Sequence, residues 1–255
     1  MQSRLTRSLL AAVVVVLVAA LLAGGATGSR KAQITVYAAA SLTDVFPKLD
    51  STPKYSFGGS NTLAAQIGQG APADVFASAN MNLPQGLAQK SQCSNPVVFT
   101  RNTLVAIVPT ANPAGIHSVY DIGKPGVKLD IAGPGVPVGS YTLEILKNMN
   151  LSRILTNVVS RETDVREVLS KVALGEADAG FVYSTDAKTV PGKVTVLKMP
   201  AWAQPKVQYG ICVVSSSPNK ADAQAFINKV LSKAGQAKMI AAGFLPRAKA
   251  VTKTK

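Results

Sequence analysis

The alternation of apolar and polar positions divides the chain into short strands, each running through a small polar corner into a helix. Ile34, Val36 and Tyr37 are the β-branched and aromatic residues of a buried strand. Ala38, Ala39, Ala40 and Ser41 follow. Leu42 to Leu49 then has helix-compatible apolar spacing, which Pro47 and Ser51-Thr52-Pro53 cut short. Lys54 to Phe57 is the next strand, and it breaks into Gly58-Gly59-Ser60-Asn61-Thr62 before Leu63 and Ile67 begin an amphipathic helix. Gly70 to Ala79 reads as a turn followed by a buried strand, residues 80–100 as irregular, and Thr103 to Val108 as a continuous apolar strand. Leu129 to Ala132 predicts a short strand feeding the glycine-rich corner 133–141 and a helix from about Thr142 to Met149. Val165, Val168, Leu169 and Val172 space a helix through Leu174, and Phe181-Val182-Tyr183 reads as a strand. Strands at Val194–Leu197 and Tyr209–Val214, with helices at about Lys220–Leu231 and Gly235–Ala242, complete an α/β pattern.

The corners matter chemically because the first backbone N–H groups of a helix have no intrahelical acceptor and carry partial positive charge. Ser41 and Ser60 therefore stand at equivalent places on two adjacent strand–helix units, where a small anion can be held. Taken alone, Ser41 fits an ordinary N-cap as well as a ligand donor.

Residues 1–26 read as an export signal, cleaved or, since the apolar run approaches the length that spans a membrane, kept as an anchor. Arg4 and Arg7 form the positive start, Leu9 to Leu22 an uninterrupted apolar run, and Gly24-Gly25-Ala26 the small residues for cleavage. The two arginines are not adjacent, which excludes the twin-arginine address. An exported chain at the periplasm or the extracytoplasmic face of the membrane follows. The formal charge of +14 becomes +12 when Arg4 and Arg7 leave, since residues 1–26 carry no acid. The lysines are scattered and aromatics few, so the charge describes a solvated surface rather than a nucleic-acid footprint. Cys93 and Cys212 are allowed by the compartment to form a disulfide, but spacing alone does not assign one.

Three stretches carry a family resemblance: Ala38-Ala39-Ala40-Ser41-Leu42-Thr43, then Phe57-Gly58-Gly59-Ser60-Asn61-Thr62-Leu63, then Gly70-Ala71-Pro72-Ala73-Asp74-Val75-Phe76. Together with Glu176-Ala177-Asp178-Ala179-Gly180-Phe181-Val182-Tyr183 downstream, they resemble the periplasmic molybdate-binding proteins of ABC importers over nearly all of the mature chain. The resemblance implies a two-lobed type II periplasmic-binding-protein fold with mixed sheets flanked by helices. The first lobe would be discontinuous, residues 27–108 plus 207–255, and the second would be 109–206, with hinge crossings near 106–110 and 206–210. It implies Ser41, Ser60, Val138, Val165 and Tyr183 as the oxyanion ligands, the two valines through their backbone. It further implies a monomer that closes around molybdate or tungstate and docks on a membrane permease, with no cofactor and no metal bound as a cation. The chain departs from the family pattern between Ser41 and Phe57, which is shorter by about two helical turns.

Such a ligand set offers hydroxyl and backbone donors but no lysine, arginine or carboxylate. It suits a fully deprotonated dianion and disfavours hydrogen phosphate, whose proton needs an acceptor. Tyr183 also fits a core tyrosine with a satisfied hydroxyl, and Asp74 and Asp186 fit structural caps. An enzyme is not expected. His117 is the single histidine and lies in a loop-like stretch, Ser60 lacks the nucleophile-elbow pattern, and no zinc-type cluster is present. The alternatives are a binder of another tetrahedral oxyanion such as sulfate, and a non-transport sensor with the same fold.

Overall fold

The computed structural model describes residues 33–247, so the export-signal assignment lies outside the described residues. Ten strands form two five-stranded sheets with the same internal pattern. In the first, β1 (Thr35–Ala39) lies between β2 (Lys54–Gly58) and β3 (Val75–Ser78), parallel to both. The strand β10 (Gln208–Val214) then runs antiparallel between β3 and β4 (Cys93–Arg101). In the second sheet, β6 (Leu129–Ala132) lies parallel between β7 (Val158–Glu162) and β8 (Ala179–Tyr183). There β5 (Leu104–Pro109) runs antiparallel between β8 and β9 (Val194–Leu197). Each sheet thus has three parallel strands followed by one strand that has arrived from the other half of the molecule.

The burial of these strands follows their composition. Every residue of β3, β5, β6 and β8 is buried, as continuous apolar runs require when helices cover both faces of a sheet. β1 buries Val36, Ala38 and Ala39, while β2 at the sheet edge is only half-buried. Among the described residues the helices are α1 (Phe46–Leu49), α2 (Ser60–Gly68), α3 (Asn82–Gln89), α4 (Pro137–Asn148), α5 (Val165–Ala173), α6 (Ser184–Ala187), α7 (Lys220–Leu231) and α8 (Lys233–Ala241). Among the described residues no helix is long and apolar enough to cross a membrane.

Three sequence expectations are corrected. The strand expected in the first lobe at 103–108 is β5, whose hydrogen bonds all go to β8 and β9 of the second sheet. The chain therefore passes between sheets at Asn102–Thr103, where the Asn102 N–H donates to the Val207 carbonyl of the returning segment (3.3 Å). Residues 80–100 are not irregular: they hold α3 and β4, and β4 wins its place by pairing along the whole of β10. The helix expected over 42–49 is a 3₁₀ turn, Ala40–Leu42, followed by the single turn α1, in which Pro47 sits in the first turn. Proline is tolerated there because that N–H has no intrahelical acceptor to lose, so Pro47 opens a helix instead of ending one.

Cys93 and Cys212 form a disulfide between β4 and β10, closing a separation of 119 residues. A cross-link over so long a loop removes a large share of the unfolded chain's freedom, about 2–4 kcal/mol in practice. The double variant Cys93→Ala/Cys212→Ala is expected to lose about that much stability in urea unfolding.

A buried carboxyl, Asp130, lies beside the partly exposed Glu162 in the second lobe. Asp130 is fully buried on β6 with neither side-chain oxygen hydrogen-bonded. Burial, and then the neighbouring Glu162 carboxylate, push it up to about 7. Burial also acts on Glu162, but its hydrogen bond to Lys171 (2.6 Å) wins and holds it below its ordinary value. Because the folded Asp130 keeps its proton where the unfolded one has lost it, the group costs stability progressively as pH rises from about 4 to about 7. Asp130→Asn is expected to flatten the fall in urea midpoint between pH 5 and pH 8, with the larger gain at pH 8.

Candidate functional site

The carboxyl ends of β1, β2, β6, β7 and β8 all open toward one cavity between the sheets, as the parallel arrangement within each sheet dictates. Ser41 sits in the 3₁₀ turn two residues after β1 ends, and Ser60 is the first residue of α2 after β2. Val138 lies in the first turn of α4, Val165 is the first residue of α5, and Tyr183 is the last residue of β8. All five line the same cavity, together with Ala39, Ala40, Gly59, Ala79, Val136 and Asp164. All five are also buried. The cavity is small, with about 210 Å³ of empty space when the solvent at its mouth is included.

Two glycines bring backbone to this space. A Cβ at Gly139 would lie 2.5 Å from the Ala132 and Gly133 carbonyl oxygens, so only glycine lets α4 start this close to the end of β6. A Cβ at Gly59 would lie 2.2 Å from the Thr163 carbonyl oxygen, which belongs to the other sheet's lobe. The two lobes therefore meet backbone to backbone beside Ser60.

The hydroxyls are held by a second layer of residues. Ser41 Oγ and the Tyr209 hydroxyl are 2.9 Å apart. The Tyr209 hydroxyl also accepts from Asn102 Nδ2 (3.4 Å), and either hydroxyl of the Ser41–Tyr209 pair can donate to the other. Asn102 also donates to Thr185 Oγ1 and accepts from Ser184 Oγ, so the residue at the crossing joins both lobes to this relay. Ser60 Oγ accepts from the Ala79 N–H (3.0 Å), which turns its own proton outward. Tyr183 is different. Its hydroxyl is buried without a hydrogen-bond partner, and burial pushes the phenol well above its ordinary value, so it is a protonated donor at any physiological pH.

No lysine or arginine lines the cavity. One carboxylate, Asp164, is at its edge, and its Oδ1 caps α5 by accepting from the Arg166 and Glu167 N–H groups. The cap leaves the Val165 N–H as the first unpaired donor of that helix. Asp186 lies fully buried beneath the site, pushed up to about 6 by burial, with Arg166 opposing that rise. Asp74 has the structural role expected of it, accepting from the Thr35 N–H and from Ser217 and Asn219. His117 is exposed and lines a separate surface groove. Among the described residues there is no cluster of three or more metal-ligating side chains. The site can hold a small anion with neutral donors, and no base stands beside either serine to make it a nucleophile.

Asp164 could have been read from the sequence, since an aspartate directly before an apolar-periodic helix is a capping signal. Tyr209 and Asn102 could not, because they reach Ser41 only through pairings across 168 and 107 residues.

This site on this fold defines a class, the two-lobed binders of small solutes. The chain belongs to the family described as bacterial extracellular solute-binding protein, which matches residues 34–245. It is 37% identical over 232 residues to the molybdate-binding protein ModA of Mycobacterium tuberculosis, covering 87% of each chain. It is 34% identical to the molybdate-binding protein ModA of Haemophilus influenzae, covering 86% of this chain and 92% of that one. Among solved structures, the periplasmic molybdate-binding protein of Azotobacter vinelandii superposes with a TM-score of 0.74 at 22% identity, over 85% of this chain and 100% of that one. The sulfate-binding protein SubI of Mycobacterium tuberculosis superposes with a TM-score of 0.73 at 18% identity, over 85% and 88%. Both structural likenesses concern the fold.

The contact at Gly59 makes a prediction. Gly59→Ala is expected to keep the lobes apart, raising the radius of gyration measured by X-ray scattering. Gly86→Ala, where a Cβ meets nothing within 4 Å, is expected to leave it unchanged.

Proposed function

We propose that this chain captures molybdate, and tungstate, in the cleft between its lobes and delivers it to an ABC permease. The observation that carries the proposal is the convergence of Ser41, Ser60, Val138, Val165 and Tyr183 on one small cavity free of cationic side chains. The names of the curated relatives support the choice of anion. The five residues act as donors only, through two serine hydroxyls, one phenol and backbone N–H groups at helix starts. Each replaces a water on the anion with a fixed dipole, and each charge-assisted hydrogen bond contributes about 1.5–3 kcal/mol. A dianion with four bare oxygens uses every donor, whereas a protonated one has to turn its hydrogen to Asp164 at the cavity's edge, a carboxylate whose Oδ1 is already engaged as the cap of α5.

The proposal includes two lobes hinged where the chain crosses between the sheets, at residues 102–103 and 205–207. Ser41 and Ser60 belong to one lobe, and Val138, Val165 and Tyr183 to the other, so the anion is what both lobes share. A ligand that touches both favours the closed form in proportion to its contacts there, and the closed form is the one a permease would read. The protein acts outside the cytoplasm after export, as a single chain and without catalysis.

A thermal-shift series on the chain from residue 27 with molybdate, tungstate, sulfate and phosphate tests the anion. At about 100 times the dissociation constant a ligand adds about 2.7 kcal/mol. A shift with molybdate and tungstate alone is expected. A shift with sulfate instead would keep the cleft and replace the substrate. Ser41→Ala and Ser60→Ala are each expected to weaken molybdate binding about tenfold or more in calorimetric titration, while His117→Ala leaves it unchanged. Equal affinity in all three variants would refute the assignment of the cage.

A further inference from the structure

Beside the cavity, one arginine joins the two lobes. Arg166 is the second residue of α5, directly after Val165, and belongs to the lobe built on the second sheet. Asp44 follows the Ser41 turn by two residues and belongs to the other lobe. The Arg166 guanidinium uses its three nitrogens on three partners. Nε donates to Asp186 Oδ1 (2.8 Å) and Nη1 to Thr189 Oγ1 (3.2 Å), both on its own lobe, while Nη2 reaches across to Asp44 Oδ2 (2.6 Å).

The three contacts are unequal. The Asp186 side chain is fully buried, so its bond to Arg166 is permanent on the time scale of lobe motion: breaking it would strand a charge away from water. The Asp44 side chain is 48% exposed, so water can replace the arginine there at little cost. The guanidinium is thus fixed by its own lobe and offered to the other. Such a pair makes and breaks with closure without unfolding either partner. The contact also lies where closure is read most directly. Ala40 and Asp164 line both the anion cavity and the outer groove that contains Asp44 and Arg166, so the ion pair stands at the rim between them.

We propose that Asp44 and Arg166 form a latch between the lobes that sets how long the closed cleft retains its anion. Arg166 is a positioning residue. It does not line the cavity, and it acts through the start of α5 and through Asp44. The inference deepens the reading of the cleft as an oxyanion site and rests on it for its ligand, though not for its lobe motion. Because the lobe-spanning contact is half-exposed, the latch is weak, which suits a protein that must also release its cargo.

The test is Asp44→Asn, which removes the exposed partner and leaves Asp186 paired. Molybdate association and release are measured by stopped flow, and the ligand-free lobe equilibrium by X-ray scattering. Release is expected to be about twofold to fivefold faster, association unchanged, and the ligand-free envelope more open. The difference in release is expected to shrink at about 1 M salt, where exposed charges are screened. In a cycle with Arg166→Lys, whose single ammonium cannot serve three partners, the Asp44→Asn effect is expected to be smaller than in the wild-type background. If the wild-type protein binds molybdate and Asp44→Asn changes neither release nor the scattering envelope, the latch is refuted. If the wild-type protein binds no oxyanion, the functional reading fails and the scattering comparison alone decides the latch: a more open Asp44→Asn supports it, an identical envelope refutes it.

Discussion

Parallel pairing within each sheet is the constraint on which everything else depends. Two strands paired in parallel must start and end on the same sides, so β1 with β2, and β6 with β7 and β8, turn into their helices along one edge of each sheet. Each of those turns leaves backbone N–H groups unpaired. Elsewhere in a protein such groups are an expense met by caps and water. Here two such edges face each other across one small cavity, and the unpaired groups are available to whatever enters it. The side chains that line it are mostly small, which leaves the main chain accessible from the cavity, and Gly59 and Gly139 mark the points where even a methyl group would collide.

The fold's β-α rhythm was legible because the buried parallel strands are continuous apolar runs and their helices follow after small polar corners. β6 is read from sequence to the residue for that reason, β8 comes out two residues short, and β5, an apolar run that pairs antiparallel, is read to within a residue. β4 and β7 were not. β4 has the exposed and half-exposed positions of an edge, including Asn95 and Pro96, and only its partner β10 makes it a strand. β7 alternates between half-buried and exposed and gains its identity by pairing with β6. The same distinction governs the site. Ser41 and Ser60 announce themselves by local pattern. Val138, Val165 and Tyr183 were placed through family resemblance, and the structure brings them to the cavity those serines line. What local pattern cannot carry is the second layer, in which Asn102, Tyr209 and Asp44 meet their partners only because two distant halves of the chain have folded against each other.

The disposition of charge separates attraction from selection. The chain carries a net +14, yet no ammonium or guanidinium enters the cavity. A cation in the cage would attract every anion and pair with each at any protonation state, whereas hydroxyls and N–H groups demand that every oxygen accept. Positive charge spread over the surface raises the local concentration of anions without choosing among them. The neutral hydroxyls in the cavity are positioned from behind, Ser41 by Tyr209 and Ser60 by the Ala79 N–H.

Arg166 shows how strictly that separation is kept. It directly follows Val165, yet its guanidinium is turned away from the cavity and held among two carboxylates and a hydroxyl. The burial of Asp186 is costly in itself, as its raised protonation range records, and a fold gains nothing in stability from placing a carboxyl there. What Asp186 provides is direction. It holds the Arg166 guanidinium outside the cavity and aims the spare donor at the opposite lobe. A charge that would spoil discrimination inside the cage is thereby used outside it, where it acts on the motion of the lobes.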